Sequence, residues 1–93
     1  MNKKEAQIVL GKILADYRKK PLRELLHLIK TQDTFEVVAE SGTRYQIEIQ
    51  AFWDDEKREN LRDIGSIDDG GIRAFFPMTD DFIVTRDGDQ KII

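Results

Sequence analysis

Before residue 32 the hydrophobic positions recur every three to four residues, and beyond it they recur every second one. Ala6, Val9, Leu10, Ile13, Leu14 and Tyr17 fall on one stripe about 140° wide at 100° per residue, which predicts a helix over 3–19. Ile8, Gly11 and Ala15 lie on the opposite side, either as a smooth strip for another helix or as an ordinary solvent face. Pro21 biases the residue before it away from helical backbone and suits the first turn of a new helix. A second helix is therefore expected over 21–30, with Leu22, Leu25, Leu26 and Ile29 on one face and Leu28 at its edge. One kinked helix is the alternative.

From residue 34 the pattern is that of half-buried strands. Phe35, Val37 and Ala39 alternate with Thr34, Glu36, Val38 and Glu40, and Tyr45, Ile47, Ile49, Ala51 and Trp53 alternate with Arg44, Gln46, Glu48, Gln50 and Phe52. Parity fixes the turn between them. A two-residue Ser41-Gly42 turn would put Phe35 and Val37 on the face opposite Tyr45 and Ile47. A three-residue loop, Glu40-Ser41-Gly42, pairs Ala39 with Thr43, Val37 with Tyr45 and Phe35 with Ile47, and gathers the apolar residues on one side. That loop needs a left-handed third residue, and Gly42 stands there.

After a charged loop over 54–60, segments 61–67 and 72–76 predict a second hairpin around Asp69-Gly70, a pair suited to a type I′ turn, with Pro77 ending its second strand. This register sets Ile67 opposite Ile72, Ser66 opposite Arg73, Gly65 opposite Ala74 and Ile64 opposite Phe75. Ile67, Ile72, Ala74 and Phe76 then face the helices, and Ile64 and Phe75 face outward. Segments 82–85 and 90–93 flank Asp87-Gly88 and allow a third, shorter hairpin. The order gives an α+β domain: an N-terminal helical pair on one face of a four- to six-stranded antiparallel sheet.

The string Gly65-Ser66-Ile67-Asp68-Asp69-Gly70-Gly71-Ile72-Arg73-Ala74-Phe75, with Phe52-Trp53-Asp54 before it and Asp81-Phe82-Ile83 and Asp87-Gly88 after it, resembles a small bacterial domain of unknown function. The resemblance spans about residues 45–88. It implies a bacterial source and brings no activity, cofactor or site residue with it.

Length and composition narrow the classes. Ninety-three residues are expected to form one domain over 1–93. No apolar run approaches the roughly 20 residues of a membrane span, and the opening Met1-Asn2-Lys3-Lys4-Glu5 has no signal-like apolar core. Cysteine is absent, which excludes disulfides, thiolate nucleophiles and Cys-based zinc sites; together these features set the expectation of a cytoplasmic protein. The net charge of -3 is uneven: residues 1–31 sum to +5 and residues 32–93 to -8. Within one fold the two halves attract each other.

Candidate chemistry is sparse. The acidic pairs Asp54-Asp55, Asp68-Asp69 and Asp80-Asp81 are the lead toward a hard divalent cation and metal-assisted catalysis, but they lack EF-hand spacing, and aspartate is a common turn residue. The balance is against an enzyme, and no cofactor is expected. His27, the single histidine, falls on the polar side of the second helix. The basic run Arg18-Lys19-Lys20 with Lys12 and Arg23 could meet nucleic acid, but no recognition motif accompanies it, and cations are favoured at helix C-termini without any ligand.

The remaining feature is apolar. Phe52 and Val38 break the polar pattern on the outward side of the first two strands, and Ile64 and Phe75 do so on the second hairpin, beside Arg73. Apolar groups rimmed by polar ones mark partner sites. Phe52, Ile64, Phe75 and Arg73 are therefore the expected contact residues for a protein partner or a second copy, with Ile92-Ile93 folding over them as the alternative. The expected function is a non-catalytic interaction or assembly domain, in one form an immunity- or antitoxin-like protein that masks a basic partner. An enzyme or metal-binding protein using loop carboxylates, and a weak nucleic-acid binder through the basic helices, are the alternatives.

Overall fold

The structure is a computed structural model that describes residues 2–71 and 77–86. Helix α1 (Lys3–Arg18) and helix α2 (Leu22–His27) precede strands β1 (Asp33–Val38), β2 (Arg44–Trp53), β3 (Asn60–Asp68) and β4 (Met78–Thr85). The strands form one antiparallel sheet in the order β1-β2-β3-β4, so the chain is α+β.

Helix α1 starts where Asn2 Oδ1 accepts from the Glu5 backbone N–H at 3.0 Å, an N-cap that satisfies an otherwise orphan donor. Its predicted stripe points inward: Ala6, Leu10, Leu14 and Tyr17 are buried, and Val9 and Ile13 pack at the margin. Pro21 caps α2, which is shorter than its apolar pattern, and the following residues 28–30 continue only as turns. Leu25 and Leu28 are buried, and the Ala51 N–H donates to the Leu28 carbonyl at 3.3 Å, tying this segment to β2.

The first hairpin has the register that parity requires, with Val37 opposite Tyr45 and Phe35 opposite Ile47. The Ala39 N–H donates to the Thr43 carbonyl at 2.9 Å, and Gly42 adopts φ +88°, a left-handed backbone that side chains rarely take.

The expected second hairpin is not formed. Strand β3 is bonded on one side to β2 and on the other to β4, with Ile67 opposite Met78, Ser66 opposite Thr79, Gly65 opposite Asp80 and Ile64 opposite Asp81. These positions are not opposite Ile72, Arg73, Ala74 and Phe75, residues that themselves lie outside the described ones. Gly70 has φ +81°, but among the described residues Arg58 is the one non-glycine with positive φ, so Asp69-Gly70 is not a type I′ pair. Pro77 immediately precedes β4, a place its missing N–H permits, and the 72–76 segment it was expected to end lies outside the described residues. Lengthening the connection costs little closure entropy, and Phe82 and Val84 become buried on the helix side of β4. Segment 82–85 is the end of β4, not a separate strand, and the 90–93 partner proposed for it lies outside the described residues.

Candidate functional site

Alternation along β3 divides the site into two faces. Leu61, Asp63, Gly65 and Ile67 point to the helices and are buried, while Arg62, Ile64, Ser66 and Asp68 point away and are half-buried.

On the outer face, Phe52 is 41% exposed and sits opposite Arg62, and Ile64 lies opposite Gln50. Phe52 and Ile64 are thus diagonal neighbours across β2 and β3, within reach of each other. Arg62 is held between two acids. Its Nε donates to Asp54 Oδ1 at 2.8 Å, its Nη2 to Asp54 Oδ2 at 3.1 Å, and its Nη1 to Asp81 Oδ2. These carboxylates push the guanidinium further above its usual range. Ile83, on the same face opposite Arg62, is buried, so the open apolar stretch is the Phe52–Ile64 diagonal. Val38 is 61% exposed at the far end of this face, beside the first turn. Phe75 and Arg73, the other expected contact residues, lie outside the described residues.

The acidic pairs serve turns and the Arg62 clamp. Asp55 Oδ1 accepts from the backbone N–H groups of Glu59 at 2.9 Å and Asn60 at 3.0 Å. Asp68 Oδ1 accepts from Gly70 N–H, and Asp69 Oδ1 accepts from Gly71 N–H, a bond that lowers the Asp69 pKa. Asp80 Oδ1 accepts from Asp81 N–H. Among the described residues no three His, Cys, Asp or Glu side chains are grouped to hold a metal ion.

A second apolar surface lies beside α1. Ile8 and Val38, both more than half exposed, join Val9 and Ala39 in a cleft of about 460 Å³ rimmed by Lys4, Glu5, Lys12 and Glu40. Glu5 is committed to the hairpin: its Oε1 accepts from Tyr45 Oη and from Ser41 Oγ, both at 2.8 Å. Burial and that bond push the Tyr45 hydroxyl up to about 12. His27 is exposed and shares a polar cleft with Tyr17, Lys20, Glu24, Thr31 and Asp33.

The group that sequence reasoning missed is Asp63. It is 0% exposed on the helix side of the central strand β3, opposite Ala51 and Phe82, and neither carboxyl oxygen has a hydrogen-bond partner. Burial raises its pKa to about 7. Tyr17, itself buried, donates from Oη to Asp33 Oδ2; burial first and this bond second raise the Tyr17 pKa, and the charge of Asp63 adds to the shift. A parity signal for Asp63 was present, because the same alternation that turns Ile67 inward turns residue 63 inward.

Among the described residues no helix is long and apolar enough to cross a membrane. Comparisons with protein-family models, curated proteins and solved structures give no match, so the reading of this chain rests on its own residues.

Proposed function

We propose that this protein is a non-catalytic interaction domain that uses the outer face of its sheet, centred on Phe52 and Ile64, to bind another protein. The supporting observation is Phe52, 41% exposed on a strand face whose other members are Arg44, Gln46, Glu48 and Gln50. A large aromatic group in that setting exposes apolar surface worth roughly 1.5–3 kcal/mol when buried, before association costs. The face is also acidic: Glu36, Glu48, Asp68 and Asp81 outnumber Arg44 and Arg62, and both arginines are paired. A partner with basic residues around an apolar pocket complements it, in keeping with a domain that masks a basic protein.

The enzyme reading draws less support, because Asp54 and Asp81 are bound to Arg62 and the other acids cap turns. The basic helices retain Lys4 and Lys12 at the α1 cleft, but this cleft is as much apolar as cationic.

Installing a photoreactive phenylalanine analogue at position 52 in the native host tests the proposal. The expected result is one dominant crosslinked protein whose yield falls when Ile64→Ser is added and persists when Val38→Ser is added. No product at position 52, or a product sensitive to Val38→Ser alone, would refute the outer-face assignment.

A further inference from the structure

We propose that Asp63 acts as a proton-operated latch: with its carboxyl neutral, α1 closes on the sheet, and its ionisation lifts the second half of α1 away to admit water. The geometry points there. Asp63 is fully buried, both its oxygens lack hydrogen-bond partners, and it occupies the helix side of the central strand. A neutral carboxyl tolerates such a place far better than a carboxylate does.

The sheet cannot yield easily. Strand β3 is hydrogen-bonded along both edges, so turning residue 63 outward would reverse the whole strand or break two ladders. The cover can yield. Above this face lie Leu14, whose Cδ2 comes within 3.0 Å of a side chain placed at Gly65, and Tyr17 one turn later. The end of α1 is tied down by side chains and not by a backbone ladder, among them Tyr17 Oη on Asp33, Lys20 Nζ 5.3 Å from the Tyr17 ring centroid and the Arg18 guanidinium 5.2 Å from the Phe82 ring centroid. Breaking these local contacts exposes the carboxyl while leaving the sheet intact.

The charged and titratable groups around Asp63 do not replace that water. From α1 they are Tyr17 and Arg18, and from β1 Asp33, which takes the Tyr17 proton donor. From β4 the helix-side acid is Asp80, opposite Gly65 and exposed. On β2 the helix side carries only Tyr45, bonded to Glu5 of α1. Lys20, Glu24 and His27 lie in the cleft beyond Tyr17. None of them bonds the Asp63 oxygens.

Amide hydrogen exchange on the whole chain tests the latch, with rates corrected for the intrinsic pH effect. The open state gives Asp63 its ordinary pKa of 3.8 against about 7 when closed. Opening of residues 14–18 should therefore rise close to tenfold per pH unit between those values and level off above them, while β2 and β3 amides stay more protected. Asp63→Asn should flatten this dependence, and Asp63→Leu, which removes the titrating group with an apolar one, should do the same. A slope retained in both variants would overturn the proposal. So would loss of protection in α1 and the strands together at every pH, which would mean that the domain opens only as a whole.

Discussion

Strands β2 and β3 lie side by side and turn their inner faces to the same core, yet they solve that task differently. β2 offers Tyr45, Ile47, Ile49 and Ala51, an apolar series with every member buried. β3 offers Leu61, Asp63, Gly65 and Ile67, equally buried but with an acid and a missing side chain in the middle. The two exceptions are not alike. At Gly65 the space is filled by Leu10 and Leu14 from α1 and by the end of Ile49 from the neighbouring strand β2. At Asp63 the carboxyl oxygens meet no compensating polar group. The pleat alone thus places a residue inside, and what the helix brings down on it decides whether the position stabilises.

Acid titration should separate the two strands most sharply. Asp63 holds its proton to about pH 7 when folded but releases it near its ordinary value of 3.8 when unfolded. Between these values the unfolded state binds fewer protons, so this group makes stability fall as pH rises; below 3.8 and above about 7 its contribution is flat. The size is on the order of 4 kcal/mol, from about 1.4 kcal/mol per unit of pKa. Urea unfolding from pH 4 to pH 8 should show the decline in the wild type and lose this component in Asp63→Leu. An equal decline in both would show that Asp63 is no exception to its neighbours on β2.

The other exception on β3 should respond in the opposite way to added bulk. A Cβ at residue 65 would lie 2.9 Å from Leu10 Cδ1 and 3.1 Å from Ile49 Cδ1. Gly65→Val adds more atoms in the same space, so we expect destabilisation of about 1–3 kcal/mol, the range for overpacked cores. Co-substitution of Leu10→Ala should recover part of that loss. Full additivity of the two changes would mean that Gly65 and α1 are not in the contact described.

The β1–β2 hairpin was legible because every constraint on it is local: Phe35, Val37, Tyr45 and Ile47 share a face in one register only, and Gly42 supplies the turn. Gly42→Val, placed at φ +88°, should therefore cost more than about 1 kcal/mol in a denaturant melt. An unchanged melt would show that this turn tolerates a left-handed valine and that the hairpin's register is held by its strands alone. The pairing of β3 was less legible, because two apolar segments compete for it. Segment 72–76 is nearer and richer in aromatics, while the observed partner begins after Pro77 and carries the acids Asp80 and Asp81. Alternation favours the second: Phe82 and Val84 reach the core while Asp81 meets Arg62 outside. Asp63 was hidden for the same reason. Pairing β3 with 72–76 makes its helix side look uniformly apolar through Ile72, Ala74 and Phe76, which draws attention from residue 63. For the candidate site, parity placed Phe52, Ile64 and Val38 outward, but the Arg62 clamp needs the β4 register and the loop carrying Asp54.

The smallest effect comes from Gly11, which sharpens the contrast with Gly65. Both are glycines next to α1 packing, but a Cβ at Gly11 meets nothing within 4 Å, whereas one at Gly65 meets three core side chains. Gly11 lies inside α1, is exposed, and is followed and preceded by Ala15 and Ile8 on the same outer side. In an exposed helix interior, alanine is favoured over glycine by about 1 kcal/mol, because it restricts the unfolded chain and fits the helix without strain. Gly11→Ala should therefore raise stability by up to about 1 kcal/mol and leave the mass of the protein in solution unchanged. A variant that gains this stability but loses a self-association seen in the wild type would assign the Ile8–Gly11–Ala15 strip to a helix–helix contact. Loss of stability would instead place an unseen neighbour at Gly11 and remove the difference between the two glycines.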